Sequence, residues 1–98
     1  MAFHEEELAG NVQLEEPKLF KVILHNDDYT TMEFVVQILK LIFHMDQKKA
    51  EEAMWTIHKS GKTICGVYIH EIALTKAEQV KTIARENNFP LLATIESE

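Results

Sequence analysis

The chain has 98 residues, a formal net charge of -6, 46% hydrophobic residues and one cysteine. That fits one small domain with a packed core, and excludes several domains or a wholly disordered chain. The acidic balance disfavours sequence-independent nucleic-acid binding and anionic membrane surfaces, which both need a basic face.

Met1 to Pro17 holds five glutamates (Glu5, Glu6, Glu7, Glu15, Glu16) and no Lys or Arg, so the arm carries -5 and the other 81 residues -1. Residues 1–17 read as a flexible acidic arm and 18–98 as the domain proper. The arm is acidic rather than basic, so it is no secretory signal. Leu19 to His25 (LFKVILH) is short and rich in Phe, Val and Ile, which predicts a buried strand. Asn26-Asp27-Asp28 breaks it with turn formers. Thr30 and Glu33 have capping-box spacing and predict a helix to about His44. Its polar residues Glu33, Gln37, Lys40 and His44 make one narrow stripe, so most of its circumference is covered.

Asp46 caps a second expected helix to about Ser60, stopped by Gly61, with Ala50, Ala53, Met54 and Ile57 facing inward. Thr63 to Ile69 (TICGVYI) reads as a strand. Thr75 and Glu78 repeat the capping-box spacing and predict a third helix to about Asn87. Pro90 ends the connection, and Leu91 to Ile95 reads as the last strand. The order β-α-α-β-α-β is an α+β layer of helices on a small sheet. The apolar stretches fall far short of the ~18 residues of a membrane span. A lone Cys65 forms no internal disulfide and suits a reducing cytoplasm.

Enzyme chemistry has little support. The histidines at 4, 25, 44, 58 and 70 lack the pairing of common metal sites, so no metal and no cofactor are expected. Cys65 with His58 makes a nucleophile and base only on paper, because Cys65 stands mid-strand, where a small packed residue is the ordinary explanation. The glycines at 10, 61 and 66 are isolated, so there is no phosphate loop. The Asn26-Asp27-Asp28 loop says more. Alone it is a turn with helix-entry carboxylates. Met32, Val35, Met54 and Ile57 project from the two adjoining helices, however, and His58 follows Met54 on the same face. Acceptors at one end and a Met-lined wall at the other suit a ligand that is cationic at one end and apolar at the other. Ordinary core packing explains the Met pair equally well.

The segments NDDYTTMEFV (Asn26 to Val35), CGVY (Cys65 to Tyr68), EIA with TK (Glu71 to Ala73, Thr75-Lys76) and ARENNFPL (Ala84 to Leu91) together resemble the ClpS family, small bacterial adaptors of the Clp protease. The match runs in order from about Lys18 to Ile95. The resemblance implies a three-stranded antiparallel sheet with three helices, and no enzyme activity. It implies recognition of substrate proteins whose first residue is Leu, Phe, Tyr or Trp, an N-degron. It implies delivery to the N-terminal domain of a ClpA-type unfoldase, which feeds ClpP. By the same resemblance, Asn26, one aspartate of the pair and His58 accept the hydrogen bonds of a free α-ammonium. Alternation in an extended loop favours Asn26 with Asp28 as direct ligands, with Asp27 lining the pocket. His58 must be neutral to accept, so binding weakens on acidification. The first side chain enters a pocket of Leu24, Thr30, Met32, Val35, Met54, Ile57 and Leu91, where Met32 matches the family's gatekeeper methionine. Glu71 and Lys76 match positions of unfoldase docking, and the arm matches a leader that aids delivery.

Three residues depart from the family pattern. Thr31 replaces a frequent Pro and is expected to loosen the helix start while leaving the Thr30 cap. Leu74 replaces a frequent acid beside the docking face. Ile57 replaces a frequent Val and is expected to make the pocket shallower. Two other readings stay open: a ClpS-like domain serving another unfoldase or acting alone, and a plain interaction module like the C-terminal domain of the ribosomal stalk protein.

Overall fold

A computed structural model describes residues 16–98, so the reading of residues 1–15 as a flexible arm lies outside the described residues. The elements run β1 (Leu19–His25), α1 (Met32–Leu41), α2 (Gln47–Ser60), β2 (Lys62–Ile69), α3 (His70–Glu86) and β3 (Leu92–Ser97). The expected order β-α-α-β-α-β and the three-stranded antiparallel sheet are both present, with β1 between β2 and β3. Alternation along β1 explains the layering. Val22 and Leu24, both 0% exposed, point into a core with Val35, Ile38, Leu39, Ala50, Ile57, Val80 and Ala84 from the helices. Across the strands, Leu19, Lys21, Ile23 and His25 share the other face with their partners Ile69, Val67, Ile64 and Lys62. No helix of the described residues is long and apolar enough to cross a membrane.

The register slips between Val22 and Ile23, where Gly66 and Ile64 are the successive partners and Cys65 is the extra residue. A Cβ at Gly66 would run into the ring of Tyr68, two residues on, so a larger residue there needs that ring to swing aside. The Tyr68 ring lies back over the glycine in the manner of an aromatic covering a bare strand position.

Helix starts correct the sequence reading at two places. α1 is capped by Thr31, not Thr30: the Thr31 hydroxyl accepts from Phe34 N at 3.1 Å. Thr31 therefore anchors the helix start rather than loosening it. α1 also ends at Leu41, short of His44, whose φ of 57° turns the chain toward the next cap. α3 starts at His70, a full turn before Thr75, and its N-cap Ile69 makes no side-chain cap bond. Ala73 is 0% exposed and extends the inward stripe of Val80 and Ala84 toward the N-terminus. Thr75 is thus inside the helix, its hydroxyl donating to the Glu71 carbonyl at 3.0 Å, as mid-helix threonines do.

α2 follows its expected limits. Asp46 accepts from Lys49 N, and Gly61 closes the helix with a left-handed φ of 92°. β2 begins at once. The carbonyl of Gly61 then accepts from Asn26 N at 2.8 Å, which ties the end of β1 to the end of α2.

Candidate functional site

A cavity of ≈ 420 Å³ opens between the loop after β1, the start of α1 and the end of α2. Its walls are Met32, Val35, Met54 and Ile57, and its polar rim is Asn26, Asp27, Asp28, Thr30 and His58. Tyr29 and Thr31 complete the lining, residues the sequence reading passed over as site members although both lie inside the NDDYTTMEFV segment. Val35, Met54 and Ile57 are anchored in the core, whereas Met32 is 40% exposed at the mouth. The helices supply a fixed apolar wall on one side, and the loop supplies acceptors on the other.

The two aspartates do different work. Asp27 Oδ1 accepts from Tyr29 N at 2.8 Å and Thr30 N at 2.7 Å, and Oδ2 accepts from the Thr30 hydroxyl at 2.7 Å. Partial burial works to raise the Asp27 pKa. Hydrogen bonds from Thr30 and Tyr29, with the Arg85 guanidinium, outweigh it and hold the carboxyl below its ordinary value. Arg85 itself donates to the Phe89 and Leu91 carbonyls, both at 2.9 Å, and so ties the last turn to α3. Asp27 is therefore the organiser of its own loop. Among the described residues, no hydrogen bond uses the side chains of Asn26, Asp28 or His58. All three are exposed at the same rim with unspent acceptors.

Other expected site residues lie elsewhere. Leu24 and Leu91 are 0% and 1% exposed, belong to the core and do not line the cavity. Glu71 is exposed in the first turn of α3. Lys76 is committed within the fold. Its ammonium donates to the Ile42 carbonyl at 2.7 Å, lies 3.5 Å from His44 Nε2, and stands 5.6 Å from the centre of the Tyr68 ring. Leu74 is 43% exposed on the same helix.

Burial pushes the Cys65 thiol up to about 12, against a smaller opposing hydrogen bond from the Leu24 backbone, so it is no thiolate nucleophile. Among the described residues no cluster of His, Cys, Asp or Glu has the form of a metal site. What the arrangement offers is a carboxylate, a carboxamide and an imidazole converging beside an apolar hole.

The family model described as "ATP-dependent Clp protease adaptor protein ClpS" matches residues 15–94. The chain is 52% identical over 86 residues to the ATP-dependent Clp protease adapter protein ClpS of Campylobacter jejuni, covering 88% of this chain and 90% of that one. Against the protein of that name from Desulforapulum autotrophicum the identity is 55% over 82 residues, covering 84% and 79%. A solved structure of Agrobacterium tumefaciens ClpS2 bound to L-phenylalaninamide is similar at a TM-score of 0.82 and 42% identity, over 85% of this chain and 100% of that one.

Proposed function

The chain belongs to the ClpS family of Clp protease adaptors, which are not enzymes, and on that footing we propose that it selects proteins by their first residue. The α-ammonium binds at Asn26, Asp28 and His58. A Leu, Phe, Tyr or Trp side chain enters the cavity walled by Met32, Val35, Met54 and Ile57. The protein so captured passes to a ClpA-type unfoldase and is degraded by ClpP.

One observation carries this reading: three unspent acceptors share a rim with an apolar cavity of ≈ 420 Å³. A free α-amino group has a pKa of about 7.7–8.0, so it is mostly an ammonium with three donors at neutral pH. Asn26 Oδ1, Asp28 and a neutral His58 are matched to those donors in number and in charge. L-phenylalaninamide, the ligand of the similar Agrobacterium protein, has the same two ends, a free α-ammonium and a benzyl group, with an amide in place of the next peptide bond. Burying the first side chain contributes roughly 1.5–3 kcal/mol. Each charge-assisted hydrogen bond adds about 1.5–3 kcal/mol. After ordering costs the total corresponds to roughly micromolar binding or somewhat tighter.

In this scheme residues 18–98 read the signal and residues 1–17 assist delivery. Docking on the unfoldase falls to the exposed face around Glu71. Lys76 contributes by holding α3 against the end of α1.

The decisive experiment is fluorescence anisotropy with a labelled Leu-initial peptide and its N-acetylated twin. Acetylation removes the charge and two of the three donors, so the twin is expected not to bind. Equal affinity for both would sink the proposal.

A further inference from the structure

Trp55 stands on the solvent side of α2, one turn before His58 and Lys59, with exposed Glu51, Glu52 and Thr56 around it. It is 46% exposed, so core packing does not account for a tryptophan there. Its ring meets the His58 imidazole nearly perpendicularly, at 80° with centroids 5.8 Å apart. The Lys59 ammonium lies 5.9 Å from the centre of the Trp55 ring. Aromatic pairs prefer this edge-to-face arrangement. An ammonium beside an indole adds a cation-π attraction.

His58 needs such a neighbour. Its side chain makes no hydrogen bond among the described residues, and an exposed imidazole on a helix otherwise samples several rotamers. An acceptor that wanders must be ordered each time a ligand arrives, at a cost in affinity. Contact with a rigid ring removes that freedom in advance.

We propose that Trp55 is a positioning residue of the ammonium site: it holds the His58 imidazole at the cavity rim, and Lys59 steadies the indole in turn. This inference rests on the α-ammonium reading and assigns that site a supporting element outside its apolar wall. Trp55 pairs with the His58 ring and does not line the cavity, so its effect is expected to pass through His58 alone.

That last property is what a double-mutant cycle tests. Affinity for a Leu-initial peptide is measured for the full chain and for Trp55→Ala, Trp55→Phe, His58→Ala and the Trp55→Ala, His58→Ala double variant, each first checked for folding by thermal unfolding. Trp55→Ala is expected to weaken binding about fivefold, a part of one hydrogen bond's worth. Trp55→Phe keeps a ring and is expected to stay within about twofold of the parent. In the His58→Ala background, removing Trp55 is expected to change nothing further. Equal effects of Trp55→Ala with and without His58, or a Phe variant as weak as the Ala variant, would overturn the proposal. So would parental affinity in Trp55→Ala. The N-acetylated peptide separates the two levels. If the parent protein fails to discriminate against it, the ammonium site falls and this inference falls with it. If the parent discriminates but the cycle is additive, the positioning role alone falls.

Discussion

Replacing Asp27 and Asp28 by alanine one at a time separates two roles that adjacent identical residues hide. Asp27 accepts from Tyr29 N, Thr30 N and the Thr30 hydroxyl at 2.7–2.8 Å. Water can reach these donors once the carboxylate is gone, so the loss is of the size of a helix cap, not of three buried bonds. That is about 1–2 kcal/mol. For a domain of this size each kcal/mol lowers Tm by about 4–8 °C. Asp28 is exposed and makes no hydrogen bond among the described residues, so Asp28→Ala is expected to stay within about 0.5 kcal/mol of the parent. Binding reverses the order of directness. Asp28→Ala removes a charged acceptor and is expected to weaken a Leu-initial peptide about tenfold to a hundredfold. Thermal unfolding and peptide anisotropy on the two variants decide the matter. A destabilised Asp28→Ala beside an unaffected Asp27→Ala would refute the division of roles. The pH dependence gives a second check. Because the folded-state pKa of Asp27 is lowered, the unfolded chain takes up its proton first as pH falls. The stabilisation is therefore full above about pH 4 and drains away below it, and Asp27→Asn is expected to flatten that acid limb of the stability curve.

Met32→Ala opens the exposed mouth of the cavity and is expected to admit peptides beginning with Val or Ile; a variant still confined to Leu and aromatics would remove Met32 from the gate. Gly61→Ala puts a side chain at φ 92° and is expected to cost about 1–2 kcal/mol in urea unfolding. Lys76→Ala frees the Ile42 carbonyl from a 2.7 Å bond and is expected to lose about 1–2 kcal/mol, whereas exposed Glu71→Ala leaves stability unchanged and weakens unfoldase binding in a pull-down. Deleting residues 1–16 is expected to leave peptide affinity intact and to slow degradation of a Leu-initial substrate by the reconstituted protease; undiminished degradation would reduce the arm to a leader.

Much of this molecule is legible in its pattern of apolar residues. LFKVILH and TICGVYI gave their strands away by composition, and Asp46 with Gly61 bracketed α2 because both ends carry local signals. The misassigned caps share a cause. Thr30 and Thr75 each stand three residues before a glutamate, yet Asp27 claims the Thr30 hydroxyl and the Glu71 carbonyl claims that of Thr75. A spacing rule sees neither competitor. The Asn-Asp-Asp loop is readable from its motif, and His58 from its place one turn after Met54 on the same helix face. Which aspartate is free depends on how the loop folds back on itself. Leu24 and Leu91 are apolar neighbours of the motif, and nothing in sequence separates a pocket wall from the core behind it. The tie of Lys76 to the Ile42 carbonyl is invisible in sequence because the two are remote in the chain, which leaves only the docking match to read.

The bond between Asn26 N and the Gly61 carbonyl has a consequence for what the site admits. It joins the start of the acceptor loop to the last turn of the helix that carries His58. The two jaws of the proposed ammonium site therefore share one hinge point, and their spacing is a property of the backbone. A ligand nitrogen has to fit that gauge. An N-methylated first residue, or an N-terminal proline, brings a bulkier nitrogen with two hydrogens for three acceptors, and is expected to bind more weakly than a primary amine. On this view the backbone spacing favours a primary amine, and the side chains in the cavity judge what is attached to it.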